Sequence, residues 1–146
     1  MTDFAIETYD RIVNDVKPLL TAQYDETATY KDIPLDPNFT FYAQANEYGL
    51  VRFYTARDDG ALVGYAVVVV NKRHSQYDHP WATSNLFWVR PDRRGSGVGR
   101  GLVRFIKENL LGYVLQMVSS VDHPELAALL ASEGFAPVEV VHSIRL

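Results

Sequence analysis

The stretch LFWVRPDRRGSGVGRGLVRFIK, residues 86–107, decides the predicted fold. It begins as an apolar run that predicts a strand, breaks at Pro91, and continues through glycines at positions 95, 97, 99 and 101. Apolar residues then recur at helical spacing: Val98, Leu102, Phe105, Ile106 and Leu110. A strand, a glycine-rich basic turn and a helix in this order place free backbone amides and arginines at a positive helix end, which suits a pyrophosphate. Glycines let a phosphate reach these amides because they have no side chain.

Three phosphate-binding motifs can be compared with this turn. A P-loop requires a lysine directly after its last glycine, and none follows here. A dinucleotide fingerprint requires G-x-G-x-x-G, which the glycine spacing does not fit. The string V-x-P-x-x-R-G-x-G-x-G resembles motif A of the GNAT superfamily of N-acetyltransferases, with Arg94, Gly97 and Gly99 at the signature R/Q-x-x-G-x-G/A. The alternative interpretation is a mobile turn that binds nothing.

The resemblance covers residues 50–146 well and 1–49 loosely, and it implies a fold and an activity. The fold is of the α+β (mixed α/β) class: a mixed, mostly antiparallel sheet flanked by helices, in a single domain over 1–146. Its central strand carries a bulge and splays from the following strand, and acetyl-CoA binds in the gap. The activity is transfer of an acetyl group from acetyl-CoA to a primary amine, of a small molecule or of a protein lysine or N-terminus, by direct attack in a ternary complex.

The resemblance also assigns residues to acetyl-CoA. The pantetheine is expected to pair with the backbone of the central strand at Phe87 and Val89, and an amide near Val89 to donate to the thioester oxygen. The pyrophosphate is expected at the turn, at Arg94, Gly95, Gly97, Gly99 and Arg100.

The catalytic residues are where the sequence departs from the family pattern. Many members carry a carboxylate base on the central strand, but residues 82–85 read ATSN, in which Asn85 could orient the acceptor without taking its proton. Leu130 replaces a frequent Tyr acid, and His123 replaces the Asn that often begins the late helix. A water chain, a substitute group, or binding without efficient transfer remain as alternatives. The candidate substitutes are His123, which could instead only cap its helix, together with His79, Glu47 and Tyr77.

Composition and charge narrow the classes of function. The 146 residues suffice for a sizeable core, and 47% hydrophobic and 22% charged residues are ordinary for a soluble globular protein. The absence of cysteine excludes disulfides, thiol catalysis and thiolate metal ligands. No signal peptide or transmembrane run is recognisable, so a cytoplasmic protein is expected, with no membrane partner. Residues 90–107 carry a net charge of +5 and the remainder −9, which favours a small polyanion over nucleic acid.

The rest of the chain predicts further helices and strands. Helices are expected at 4–24, with a kink at Pro18, at 38–48, at 97–111, and from Pro124 to Gly134. Strands are expected at 50–57, 61–71, 82–89, 113–121 and 136–146, with no first strand before residue 50. The run from Val67 to Val70 is expected to be buried on both faces. Aromatic residues of the second helix could line the acceptor site or belong to the core: Phe39, Phe41, Tyr42 and Tyr48.

Other interpretations and partners follow from the same residues. A non-catalytic acyl-CoA-binding or partner-binding module would need the same turn, so turnover of acetyl-CoA separates it from an enzyme. His74 and His79 lie in the loop 72–81, but this spacing is weak support for a metal, and none is expected. The layout also resembles small acetyltransferase-like proteins of bacteriophages. Because family members are often dimers, the last strand, 138–146, could pair across a homodimer interface.

Overall fold

A computed structural model describes all 146 residues and contains one sheet with helices on both faces. The strands are β1 (Thr2–Glu7), β2 (Val51–Asp58), β3 (Ala61–Asn71), β4 (Trp81–Val89) and β5 (Val114–Met117). The helices are α1 (Tyr9–Val16), α2 (Leu20–Thr27), α3 (Phe39–Glu47), α4 (Val98–Asn109) and α5 (Pro124–Ser132). The order in the sheet is β1-β2-β3-β4-β5, and only the β4–β5 pair is parallel. The predicted α+β architecture is therefore confirmed.

The β2–β3 hairpin has a two-residue turn, because Asp58 pairs with Ala61. Asp59 and Gly60 have φ angles of 49° and 84°, and two left-handed residues in succession form the type I′ turn that matches the twist of paired strands. The long β3 that follows pairs with β2 on one side and β4 on the other, and so forms the centre of the sheet.

A bulge in β4 changes the face that its side chains occupy. Val67 of β3 is opposite Leu86, whereas Val68 is opposite Ser84, so Asn85 is the extra residue. Because side chains alternate along a strand, one extra residue moves all later side chains to the other face. Ala82 accordingly packs in the core beneath α4, while Leu86 and Trp88 pack in the core beneath α1 and α3.

The first strand is a correction to the sequence-based prediction. Residues 2–7 form β1 rather than the start of a helix, and they pair antiparallel with β2. Phe4 packs against α4 at Gly101, where a Cβ atom would lie 2.4 Å from Cζ of the Phe4 ring. Gly101 is thus needed for helix–strand contact rather than for a phosphate, and the predicted helix 4–24 is replaced by α1, a 3-10 turn containing Pro18, and α2.

Two other expectations about strands are wrong. Val69 is 40% exposed between the buried Val68 and Val70, so the valine run of β3 alternates and is not buried on both faces. Residues 136–146 form no strand, and the tail is exposed. Its end bonds to the loop that follows α2, through Ser143 to Tyr30 and Arg145 to Asp32. The outer edge of β5 is consequently unpaired.

A buried ion pair joins β1 to β2. The side chain of Glu7 is only 4% exposed and accepts hydrogen bonds from Arg57 Nε and Nη2 at 2.8 and 3.0 Å. Thr55 and Arg11 also donate to it, and Arg57 forms a further ion pair with Asp15 of α1. Burial opposes ionisation of Glu7, but the hydrogen bonds from Arg57 and Thr55 prevail and lower the pKa of Glu7 below its ordinary value.

Candidate active site

The gap between β4 and β5 begins at the bulge. The parallel pairing runs from Trp81 opposite Val114 to Ser84 opposite Met117, and the last contact is the Val118 amide donating to the Ser84 carbonyl at 2.9 Å. Beyond this point the chain leaves β5 while β4 continues to Val89. The second half of β4 therefore has a partner strand on its β3 side only.

The open side of β4 presents backbone groups at two of the predicted positions. The amide of Arg90 donates to Val63 of β3 at 2.8 Å, so residue 90 faces β3. Since backbone groups alternate along a strand, Phe87 and Val89 face the gap. The Val89 carbonyl is already used, because it accepts a hydrogen bond from Arg94 Nε at 2.9 Å. The Val89 amide and both backbone groups of Phe87 remain available to a ligand.

The glycine-rich turn forms a row of free amides at the end of this gap. Gly95 and Gly97 have φ angles of 78° and 90°, which glycine adopts at little cost and other residues rarely adopt. The first helical hydrogen bond of α4 runs from the Gly101 amide to the Gly97 carbonyl, at 2.9 Å. The amides of residues 95–100 have no acceptor in the protein. Consecutive amides at a helix N-terminus form an anion site.

The basic side chains around this turn all form ion pairs within the protein, but they share fewer carboxylates than their own number. Arg90 pairs with Asp92, and Arg93 pairs with Asp58. Glu133, at the end of α5, lies within 4 Å of the three cations of α4: Arg100, Arg104 and Lys107. Each cation of this segment therefore has an acidic neighbour, and the groups left without any partner are the backbone amides of the turn.

Arg94, the signature arginine, is held by Glu26 of α2. Its Nη1 and Nη2 donate to the two carboxylate oxygens at 2.6 and 2.5 Å, and Trp88 Nε1 donates to the same carboxylate at 2.8 Å. The hydrogen bonds from Arg94 lower the pKa of Glu26 in spite of its partial burial. The pair fixes the end of α2 against the end of β4, and Glu26 is a site residue that the local sequence does not reveal.

His123 occupies the N-cap position of α5 and contacts Glu26, whose carboxylate binds Trp88 and Arg94 at the end of β4. Its Nε2 is 2.8 Å from the Glu26 carbonyl, and its Nδ1 is 3.4 Å from a carboxylate oxygen of Glu125. A carbonyl accepts only, so Nε2 carries a proton in this arrangement. His123 thus joins the start of α5 to the end of α2.

The other catalytic candidates divide into those near the gap and those away from it. Asn85 is exposed at the bulge, beside the point where β4 and β5 separate. Glu47 is exposed at the end of α3. His79 lies in the β3–β4 loop, where its backbone bonds to His74 and Tyr77. In this loop, His74 and Tyr77 pack against Trp81. The loop leads into the end of β4 that pairs with β5, so it lies away from the end where the two strands separate.

A cavity of about 470 Å³ lies on the sheet face opposite α4. Its floor is formed by Phe53, Tyr65, Val67 and Leu86 of the sheet, and its walls by α1, α2, α3 and the loop 28–37. The Tyr24 hydroxyl holds that loop by donating to carbonyls of Lys31 and Ile33. Leu86 lines the cavity, and the backbone of the next residue, Phe87, faces the gap, so the cavity and the gap adjoin neighbouring residues of β4.

Two of the four aromatic residues predicted from the second helix lie in this cavity. Phe39 and Tyr42 line it, whereas Phe41 and Tyr48 are largely exposed. The remaining lining from α1, α2 and the loop carried no recognisable signal, because apolar residues at helical spacing also describe an ordinary core. No group of His, Asp or Glu side chains is placed to hold a metal ion, and no helix is long and apolar enough to cross a bilayer.

The splayed sheet and the amide turn define an acyltransferase fold, and comparison with known proteins identifies the family. Residues 49–137, more than half of the chain, match the model of the acetyltransferase (GNAT) domain, so the protein belongs to the GNAT acetyltransferase family. No curated protein has a matching sequence.

Solved structures of acetyltransferases share the fold over the whole chain. A ribosomal-protein-alanine N-acetyltransferase from Brucella melitensis biovar Abortus 2308 aligns with a TM-score of 0.75 at 17% identity, covering 100% of this chain and 99% of its own. An aminoglycoside acetyltransferase from an uncultured soil metagenomic sample, in complex with sisomicin, aligns with a TM-score of 0.78 at 12% identity, covering 99% and 95%. A Trypanosoma brucei acetyltransferase aligns with a TM-score of 0.72 at 16% identity, covering 100% of both chains. At these identities the likeness shows the fold alone, and it gives no support to a bacteriophage origin.

Proposed function

We propose that the protein transfers the acetyl group of acetyl-CoA to a primary amine by direct attack. The observation that carries this proposal is the row of free amides at 95–100, at the end of a gap whose β4 side offers the unpaired backbone of Phe87 and Val89. The amides would hold the pyrophosphate and the strand would hold the pantetheine, with Gly95, Gly97 and Gly99 giving the phosphate access. The side chains of Arg94 and Arg100 would support the site indirectly, because their ion pairs with Glu26 and Glu133 hold α2 and α5 in place.

The cavity and the gap, which adjoin neighbouring residues of β4, support attack without a covalent enzyme intermediate. Acetyl-CoA in the gap would place its thioester near Leu86 and Phe87, and an amine in the cavity would approach from the opposite face of β4. The free amide of Val89 or Phe87 is a donor for the thioester oxygen as it gains negative charge. Holding both reactants in adjacent sites supplies much of the acceleration expected of such an enzyme.

Titration with acetyl-CoA tests the proposal directly. We expect binding by isothermal titration, and release of free thiol when a reactive amine is added to the same sample. Binding without thiol release from any of a broad panel of amines and lysine peptides would favour the alternative, a non-catalytic acyl-CoA-binding module. Absence of binding would contradict the assignment of the turn.

We assign catalytic roles to the two candidates beside the gap. We propose that Asn85 orients the amine and that His123 gives a proton to the leaving thiolate. Because a thiol has a pKa of about 8.5, the thiolate leaves readily and needs only modest help from an acid. His123→Gln is therefore expected to lower kcat about tenfold, with little change in the KM for acetyl-CoA. The matched control is His79→Gln, away from the gap, which should leave both constants unchanged; equal kcat values for the two variants would exclude His123.

A further inference from the structure

We infer that the acceptor is a small molecule with a single amino group attached to an apolar body of the size of a phenylethyl or indolylethyl group. This inference rests on the proposed function. The aromatic cavity beside Leu86 is the site that selects it. The cavity's volume of about 470 Å³ lies within the range of small-molecule sites. It is too apolar to bind a strongly hydrated acceptor.

The lining residues show why the body of the ligand should be apolar. Sixteen of the 21 residues around the cavity are hydrophobic. Aromatic rings come from the helices and from the sheet: Tyr9, Tyr24, Phe39, Tyr42, Phe53 and Tyr65. Burying a hydrocarbon surface against such walls is favourable in proportion to the area removed from water. Burying several hydroxyl or ammonium groups there, without partners, would be strongly unfavourable.

The charges around the cavity show why the ligand should carry one amine and no carboxylate. Asp36, exposed at the rim, is the only acidic residue of the lining, and no lysine, arginine or histidine lines the cavity. Lys17 is over the Phe39 ring at 4.9 Å, but it does not line the cavity. A single carboxylate at the rim attracts one ammonium group, and the lining offers no cation to an amino acid's carboxylate. A polyamine or an aminoglycoside would leave further ammonium groups without partners.

Two of the polar side chains that line the cavity, Tyr65 and Tyr24, are already paired within the protein. The Tyr65 hydroxyl donates to Gln23 Oε1 at 2.5 Å, and burial raises the pKa of Tyr65, so the hydroxyl keeps its proton. The Tyr24 hydroxyl is bonded to the loop carbonyls. These pairs shape the walls without needing a polar ligand, which again favours an apolar body.

Acetylation of such an acceptor requires no reactant other than acetyl-CoA, with water as the proton acceptor. The ammonium group loses a proton to water as it leaves the rim, and the nitrogen lone pair attacks the thioester carbonyl carbon. The new C–N bond replaces the C–S bond, a second proton leaves the nitrogen, and the thiolate takes up a proton. The products are an N-acetylated amine and free CoA.

Thiol release with matched amines tests the inference. With acetyl-CoA saturating, we expect kcat/KM for 2-phenylethylamine and tryptamine to be at least about 100-fold higher than for ethanolamine, because the ring is buried in the cavity. Spermidine and sisomicin should react no faster than ethanolamine. Equal or faster reaction of these polar amines would overturn the inference and leave the proposed function standing. So would a protein that binds acetyl-CoA but does not acetylate 2-phenylethylamine.

A pair of variants on one strand separates the cavity from the rest of the protein. Val67→Trp would fill the floor of the cavity, whereas Val69→Trp adds the same side chain two residues further along β3, outside the lining. Ligand-observed NMR should detect 2-phenylethylamine bound to the wild type and to Val69→Trp, and at least tenfold less to Val67→Trp. This measurement needs no acetyl-CoA, so its failure is distinct from failure of the proposed function. Equal binding to both variants would overturn the inference.

Discussion

Gly97→Trp is expected to weaken acetyl-CoA binding at least about 100-fold while the protein stays folded. The substituted side chain would stand over the free amides of residues 95–100 and prevent a pyrophosphate from reaching them. Hydrogen bonds to a charged group contribute about 1.5–3 kcal/mol each, and each 1.4 kcal/mol is about a tenfold change in affinity. Loss of two such bonds is enough for the expected effect.

The fold should tolerate this substitution because space is available. A Cβ atom at Gly97 would meet nothing within 4 Å, so the cost is confined to the φ angle of 90°. That strain is about 1–2 kcal/mol, which is small beside the total stability of a domain. The matched control is Gly112→Trp, at the opposite end of α4, which has a φ of 87° and equally open surroundings. Titration calorimetry with a thermal melt of both variants checks the result; a folded Gly97→Trp with normal affinity would refute the assignment of the turn.

Arg57→Met is expected to lower the free energy of unfolding by about 3–5 kcal/mol. The substitution leaves the Glu7 carboxylate buried without its main partner, and breaking a buried ion pair from one side has a cost of this size. The control is Arg11→Met, which removes another partner of Glu7. Its side chain is 74% exposed, so we expect less than about 1 kcal/mol. Urea unfolding of the two variants and the wild type provides the comparison.

The wild type and Arg57→Met should respond to pH in opposite ways. Because the pKa of Glu7 is lowered in the folded wild type, its contribution to stability is complete above the ordinary glutamate pKa of about 4.3 and is lost as pH falls through the lowered value. In Arg57→Met, burial without the arginine favours the protonated carboxyl group, so acid relieves the defect. The stability difference should therefore shrink between pH 7 and pH 3. A difference that is small at pH 7, or constant over this range, would contradict the role given to the pair.

The sequence predicts those parts of the fold that depend on the conformational preferences of neighbouring residues. The turn after β4 is encoded by glycines that must adopt left-handed conformations, and the Asp59-Gly60 hairpin by the same requirement. The splayed strands and the bulge were implied by the resemblance to the family, and the structure has both at Ser84 and Asn85. Local conformational preference and family pattern agree in this half of the chain.

The parts that the sequence did not reveal depend on distant partners. β1 exists because it pairs with β2, about 50 residues away, and its Phe4 and Ile6 also fit the helical spacing of the residues that follow. The tail has strand-forming residues but no strand beside it. Glu26 pairs with Arg94, 68 residues away, and Glu133 pairs with Arg100, 33 residues away. No local pattern in the sequence predicts such pairs. The cavity likewise results from how three helices and a loop assemble over the sheet.

The acidic neighbours of the cations near the turn have a consequence for the kinetics of ligand capture. A polyanionic CoA molecule approaches a protein of net charge −4, in which four carboxylates lie beside the six cations of this segment and weaken their field, so long-range attraction does little to speed the encounter. Association should proceed at the rate of unsteered docking, about 10⁵–10⁶ M⁻¹s⁻¹, and added salt should accelerate it by screening repulsion. The lifetime of the complex, set by backbone amides at short range, then accounts for the affinity.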